Sequence, residues 1–171
     1  MSALACAYSI TDLHERAPRR LPQGLFEFVD RRAEDDLSIS ANVRAFQRVS
    51  LKPRMLVDVS ARSLRTELFG QSCEMPIAIA PTGAARLLWH DGEMVRARAA
   101  RDAGIPVVKA LAMGAKAVLV DRAPLWGLAC AGAAGVLHAL EVLRAETDRA
   151  MGFMGCPTAA SLDRTLLQPE H

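Results

Sequence analysis

The sequence predicts an α/β fold that stops short of a closed barrel. Three observations predict it. The run Pro76-Ile77-Ala78-Ile79-Ala80-Pro81 is short, continuously apolar and bounded by prolines. That is the pattern of a strand buried on both faces of a parallel sheet. A second run of the same kind, Ala117-Val118-Leu119-Val120, leads directly into helical sequence. The third observation is length: 171 residues are too few for a complete eight-stranded β/α barrel, which takes about 250.

The elements follow in order. A short helix is expected near Ile10–Arg16 with Thr11 as its cap. Leu21-Pro22 opens a helix to about Ala33, with Leu25, Phe28, Val29 and Arg32 at helical spacing. A second helix covers Asp36–Phe46, its apolar positions being Leu37, Ile39, Val43 and Phe46. Arg48–Leu51 is extended, and Leu64–Phe69 alternates before Gly70. With Met55–Val59 these segments predict a small antiparallel lid. After the first buried strand come a loop, Thr82–His90, and a helix from Gly92 to Ala103, capped by Asp91 and closed by Gly104. Ile105–Val108 reads as the next strand. It passes into helical sequence at Lys109–Gly114 with no loop between, where a β/α connection usually has about 2–6 residues. Helices are predicted at Pro124–Cys130 and Gly135–Met154. The latter carries the stripe Val136, Leu140, Leu143, Thr147, Ala150, Met154. The tail, Thr158–His171, is expected to fray.

Composition narrows the function. Apolar residues are 51% and charged residues 23%, a globular balance. Twenty-one basic against nineteen acidic side chains leave +2, with the signs interleaved. Neither a nucleic acid nor an anionic membrane is called for. No apolar run approaches the about 18 residues of a membrane span. No basic segment followed by an apolar one opens the chain, which predicts no signal peptide and a cytoplasmic protein. Cys6, Cys73, Cys130 and Cys156 lack C-x-x-C spacing, so reduced thiols are expected.

Several ordered motifs carry a resemblance. They are Leu21-Pro22, Phe26-Glu27-Phe28, Ala33-Glu34-Asp35, Pro53-Arg54-Met55-Leu56-Val57-Asp58-Val59, Met75 to Gly83, and Gly92-Glu93 with Ala97 to Gly104. In that order they resemble the start of the FMN-dependent 2-hydroxy acid dehydrogenases and oxidases, such as glycolate oxidase, flavin-linked lactate dehydrogenase and mandelate dehydrogenase. Lys109 to Ala115, Asp121-Arg122, Gly127-Leu128-Ala129, Gly135-Val136 and Gly155-Cys156 resemble the end of the same family. The resemblance covers residues 8–162 and implies an incomplete TIM-type barrel. Its first and last β/α units, 1–106 and 107–171, are joined at Pro106–Lys109, behind an N-terminal helical and small β-lid segment. Val107-Val108 matches either the second or the seventh barrel strand.

The resemblance also implies a chemistry, and the residues depart from it. The family's base and carboxylate-clamping arginine lie in a Ser-Asn-His-Gly-Gly-Arg type segment, which is missing here. None of His14, His90, His138 and His171 has those neighbours, and none of Lys52, Lys109 and Lys116 matches the flavin lysine. No catalytic residue is assigned. Phe28 stands where the family has a substrate-binding tyrosine, and a phenyl ring donates no hydrogen bond. It is expected instead to pack in the core with Leu25 and Val29. Pro81, Thr82 and Gly83 match the turn that sets backbone against the flavin. Asp121 and Arg122 match a Gly-Arg pair that holds the FMN phosphate. Arg122 suits a phosphate, whereas Asp121 sets an anion beside an anion. The chain is thus expected to be a shortened relative of enzymes that oxidise 2-hydroxy acids, inactive alone. The alternatives are a flavin-binding or assembly subunit that completes a barrel with another chain, or a remnant without function. Open sheet edges imply a homo-oligomer or a partner chain.

Overall fold

The structure is a computed structural model that describes residues 4, 6–30, 37–68, 70–80, 83, 85–102 and 111–169. Its helices are α1 (Ile10–Arg16), α2 (Gln23–Asp30), α3 (Leu37–Gln47), α4 (Ala85–Leu88), α5 (Gly92–Asp102) and α6 (Arg122–Phe153). Its strands are β1 (Val49–Leu51), β2 (Thr66–Leu68), β3 (Gln71–Cys73), β4 (Ile77–Ile79), β5 (Val118–Val120) and β6 (Leu167–Pro169). They form three separate pairs: antiparallel β1–β6 and β2–β3, and parallel β4–β5.

The parallel pair is the sheet that the two apolar runs predict. Ile77 lies opposite Val118 and Ile79 opposite Val120. All four pack into a cluster with Ala85, Leu88, Leu125, Leu128, Val136 and Leu140. The expectation of burial on both faces fails. Ala78 and its partner Leu119 point the other way, and Leu119 is 64% exposed. Among the described residues helices cover one face only, so alternation along each strand divides it into a packed side and an open side. The predicted strand at Ile105–Val108 and the helix start at Lys109 lie outside the described residues; residues 111–112 are helical and buried.

The spine is α6. The two predicted helices run together, with a break at Ala131 (φ −157°) and Gly132 (φ +57°). The break lets the two arms meet. A Cβ on Gly135 would stand 1.8 Å from the Gly127 carbonyl oxygen. A Cβ on Gly132 would strike the Trp89 ring at 2.5 Å. Only glycine fits such approaches. The predicted stripe holds: Val136, Leu140, Thr147 and Met154 are buried, with Leu143 and Ala150 packed at the margins. By length and hydropathy α6 could cross a membrane, but 61% of its most apolar window is buried in the structure.

Several expectations are corrected. The cap of α1 is Ser9, whose side chain accepts from the Asp12 amide while Asp12 accepts from the Ser9 amide. That reciprocal box outcompetes Thr11. Met55–Val59 is no strand; Leu56 takes φ +60° and is fully exposed. The hairpin instead joins β2 to β3 across Gly70 at φ +75°. The loop after β4 contains α4. The tail through Pro169 does not fray. Pro157 accepts from Ser63, Leu166 is 1% exposed, and β6 pairs with β1. The apolar side of α3 does not enter the core: Leu37, Val43 and Phe46 are exposed, and the Ile39 side chain lies outside the described residues.

A bidentate ion pair ties the segment before β2 to α6. Arg62 donates from Nη2 to Asp148 Oδ2 at 2.7 Å and from Nε to Oδ1 at 3.1 Å. This arginine holds the Asp148 carboxyl below the ordinary range. A folded-state pKa below the unfolded one gives stability at neutral pH that is lost as pH falls through the folded value. Melting temperature followed from about pH 6 to about pH 3 should therefore fall less steeply in Asp148→Asn than in the parent chain. Gly135→Ala should lose at least about 2 kcal/mol in urea unfolding, because the opposing atom is backbone and cannot move aside. Gly24→Ala, where nothing lies within 4 Å, should be neutral or stabilising.

Candidate functional site

Parallel pairing sets the carboxyl ends of β4 and β5 side by side, and the Ala80 amide donates to Val120 O at 2.8 Å. Such strand ends are where α/β proteins build sites. Two of the predicted residues, Asp121 and Arg122, meet here as the link from β5 into α6, both half-buried. Gly83 follows β4 and is exposed, with nothing within 4 Å of the point where a Cβ would stand. Pro81 and Thr82 lie outside the described residues.

Phe28 is not the core residue expected. It is 65% exposed. On α2 the packed, half-buried arc is marked by Leu25 and Val29, against the cluster over the sheet, and by Phe26, against the cluster that holds α1. At 3.6 residues per turn, Phe28 falls about 60° beyond the edge of that arc.

The sequence reading missed Arg96. It lies on α5, is 4% exposed, and donates from Nη2 to the Ala80 carbonyl at 3.2 Å. Burial pushes its pKa down, while the charges of Asp121 and then Glu93 push it up. One carboxylate oxygen of Asp121, Oδ1, is buried without a hydrogen-bond partner. The signal was in the spacing. Gly92, Arg96 and Ala99 fall at i, i+4 and i+7, and all three are buried. A cation in a helix's buried stripe marks a charged site beneath it.

The remaining polar groups do other work. His90 is exposed, 3.4 Å from Asp91. His14 contacts Asp30 at 2.8 Å and stacks edge-on with Trp126, ring centroids 4.6 Å apart. His138 faces the Ala7 carbonyl. Lys52 and Lys116 are exposed; Lys109 and His171 lie outside the described residues. No cluster of metal-ligand side chains occurs among the described residues. A cavity of 350 Å³ beside Arg62, Arg65 and Arg144 has its arginines paired with Asp148, Glu74 and Glu141. The four cysteines are free, and burial raises the Cys130 and Cys156 thiols.

The family described as FMN-dependent dehydrogenase matches residues 17–108 and 104–169. The chain belongs to that family of flavin-dependent oxidoreductases. It is 40% identical over 101 residues to (S)-mandelate dehydrogenase of Pseudomonas putida, covering 59% of this chain and 26% of that protein. It is 43% identical over 96 residues to human 2-hydroxyacid oxidase 2, covering 56% and 27%. It is 39% identical over 120 residues to L-lactate dehydrogenase of Chromohalobacter salexigens, covering 68% and 30%. These matches span only about a quarter to a third of the relatives' length. A crystal structure of a soluble mutant of the membrane-associated P. putida mandelate dehydrogenase superposes with TM-score 0.92 at 21% identity, covering 95% of this chain and 99% of that one. Mandelate oxidase with 3,3-difluoro-2-hydroxy-3-phenylpropionic acid gives 0.89 at 20%, covering 96% and 100%. The fold class is theirs, a β/α barrel architecture of which the described residues form two parallel strands and their helices.

The strand-end residues do not fit a flavin phosphate. The resemblance requires a close backbone approach and a cation. The chain supplies Arg122, but beside it a carboxylate with a buried, unpartnered oxygen. Phosphate oxygens brought to that place meet like charge. No redox step can be derived through the group on these residues. Thiol titration at neutral pH checks the surrounding packing. Cys6 and Cys73 should react quickly, Cys130 and Cys156 only on unfolding.

Proposed function

We propose that this chain is a shortened relative of the flavin-dependent enzymes that oxidise 2-hydroxy acids to 2-oxo acids, and that alone it does not turn over such a substrate. The observation that carries the reading is the family match in two segments, 17–108 and 104–169, meeting at 104–108. A junction there joins the family's opening β/α unit (1–106) to its closing one (107–171). The sequence between them that would carry the base and the arginine clamp, a Ser-Asn-His-Gly-Gly-Arg type segment, is not in this chain. Without a proton acceptor beside the substrate hydroxyl, the rate loses the factor of about 10²–10⁴ that a positioned base contributes. Loss of the clamp removes orientation as well. In this reading Pro81, Thr82, Gly83, Asp121 and Arg122 are what is left of the FMN site, and Phe28 takes the place of a substrate-binding hydroxyl. The protein acts in the cytoplasm.

A second reading is favoured by the open sheet face. Ala78 and Leu119 expose the side that a closed barrel turns inward. A partner chain carrying further β/α units, or a second copy of this one, would cover it. The chain is then an assembly subunit and not a remnant.

Visible spectra of the purified chain with FMN, before and after anaerobic L-lactate, glycolate or mandelate, test both readings. No bleaching of the flavin band is expected from the chain alone. Bleaching by any of the three acids overturns the proposal. Flavin retained only in an oligomeric fraction on gel filtration favours the assembly subunit.

A further inference from the structure

Between residues 37 and 57 the chain departs from the interleaved charge found elsewhere. The segment holds four cations, Arg44, Arg48, Lys52 and Arg54, and no acid; Asp36 and Asp58 bound it. It comprises α3, β1 and the loop that follows. Leu37, Val43 and Phe46 are exposed on α3, and Met55, Leu56 and Val57 are exposed on the loop. Among the described residues, none of the three buried clusters takes a residue from α3. A helix of 11 residues without a packed face is marginal in water. Leu56 is held in the left-handed region at φ +60° with its side chain wholly in solvent. That backbone cost brings no packing within the chain, which points to a contact outside it. Arg44, Arg48 and Lys52 are exposed and form no ion pair among the described residues. Arg54 is 3.5 Å from Asp163 and donates to Thr165 Oγ1 at 2.8 Å.

We propose that residues 37–57 are a peripheral docking surface for an anionic lipid bilayer. Met55, Leu56 and Val57 enter the headgroup region, and Arg44, Arg48 and Lys52 meet the lipid phosphates. Exposed apolar side chains among cations are the composition that lies on such a surface without spanning it. Each basic side chain near an anionic leaflet strengthens binding about fivefold. Charge also decides against a second copy as the occupant. Two copies meeting through this segment would set four cations against four, with no acid in either. The interleaved charge of the whole chain conceals the surface, because it averages over this window. The proposal is independent of the reading of the chain as a shortened enzyme.

The experiment mixes the full chain with phosphatidylcholine vesicles, made with and without phosphatidylserine, and measures the fraction that sediments with them. Binding to the phosphatidylserine vesicles should be at least about tenfold stronger and should weaken as salt is raised. Arg44→Gln combined with Arg48→Gln should lower it by about tenfold or more. Met55→Ser combined with Leu56→Asn, which removes the apolar contact and leaves the charges, should lower it by a similar factor. Every replaced side chain is exposed, so without vesicles each variant should melt with the parent chain. Binding that is absent, equal on the two kinds of vesicle, or unchanged in both double variants overturns the proposal. So does an oligomer, seen on gel filtration without lipid, that Phe46→Ser dissociates; a second copy would then be the occupant.

Discussion

The fold depends on two glycine backbones in contact. Gly127 and Gly135 meet across the break in α6, so one helix becomes two arms packed on each other. Every buried cluster draws on that element. Leu125, Leu128, Val136 and Leu140 close over the parallel strands. Ala129, Cys130 and Ala139 hold α1. Met151 anchors the cluster that receives Leu64, Met75 and the tail. A straight helix of this length would carry these residues past their partners. The positive φ of Gly132, with Trp89 filling the space where a side chain would stand, bends it back.

The sheet is the weaker partner. Two parallel strands are not stable alone, and here they persist because helices cover the side formed by Ile77, Ile79, Val118 and Val120. Nothing described covers the side formed by Ala78 and Leu119. The same asymmetry extends to α2, where Phe28 is exposed beside a half-buried Leu25–Val29 stripe. Exposed apolar side chains are ordinary when single. An exposed sheet face with an exposed strand edge is a surface that another strand or another copy can use.

What the sequence revealed was local. The Gly70 turn, the stripe on α6 and the two apolar strands all depend on neighbours within a few residues, where period and propensity act. The change near residue 106 shows in the sequence as a strand-like run passing into helical sequence with no loop, and the two matched segments meet there. Pairing of β1 with β6 was not visible, since it joins Val49 to Pro169 across most of the chain and neither segment alone prefers it. Phe28 misled because spacing places it at the edge of a buried arc, where a rotation of tens of degrees decides exposure. The open face misled for a different reason: an apolar run suited to burial on both faces looks the same whether or not its neighbours are there. Asp121 and Arg122 were legible as neighbours after the second apolar run, where they form the link from β5 into α6; the burial of Arg96 was not. A single arginine in helical sequence reads as surface until its stripe is compared with the burial around it.

Fold and chemistry separate at this point. A TM-score of 0.92 at 21% identity reports the course of the backbone, which packing enforces. A site depends on particular atoms that packing does not enforce. Phenylalanine at position 28 keeps a ring's shape and lacks the hydroxyl donor. Aspartate at position 121 keeps the link from β5 into α6 and adds a carboxylate at the strand ends.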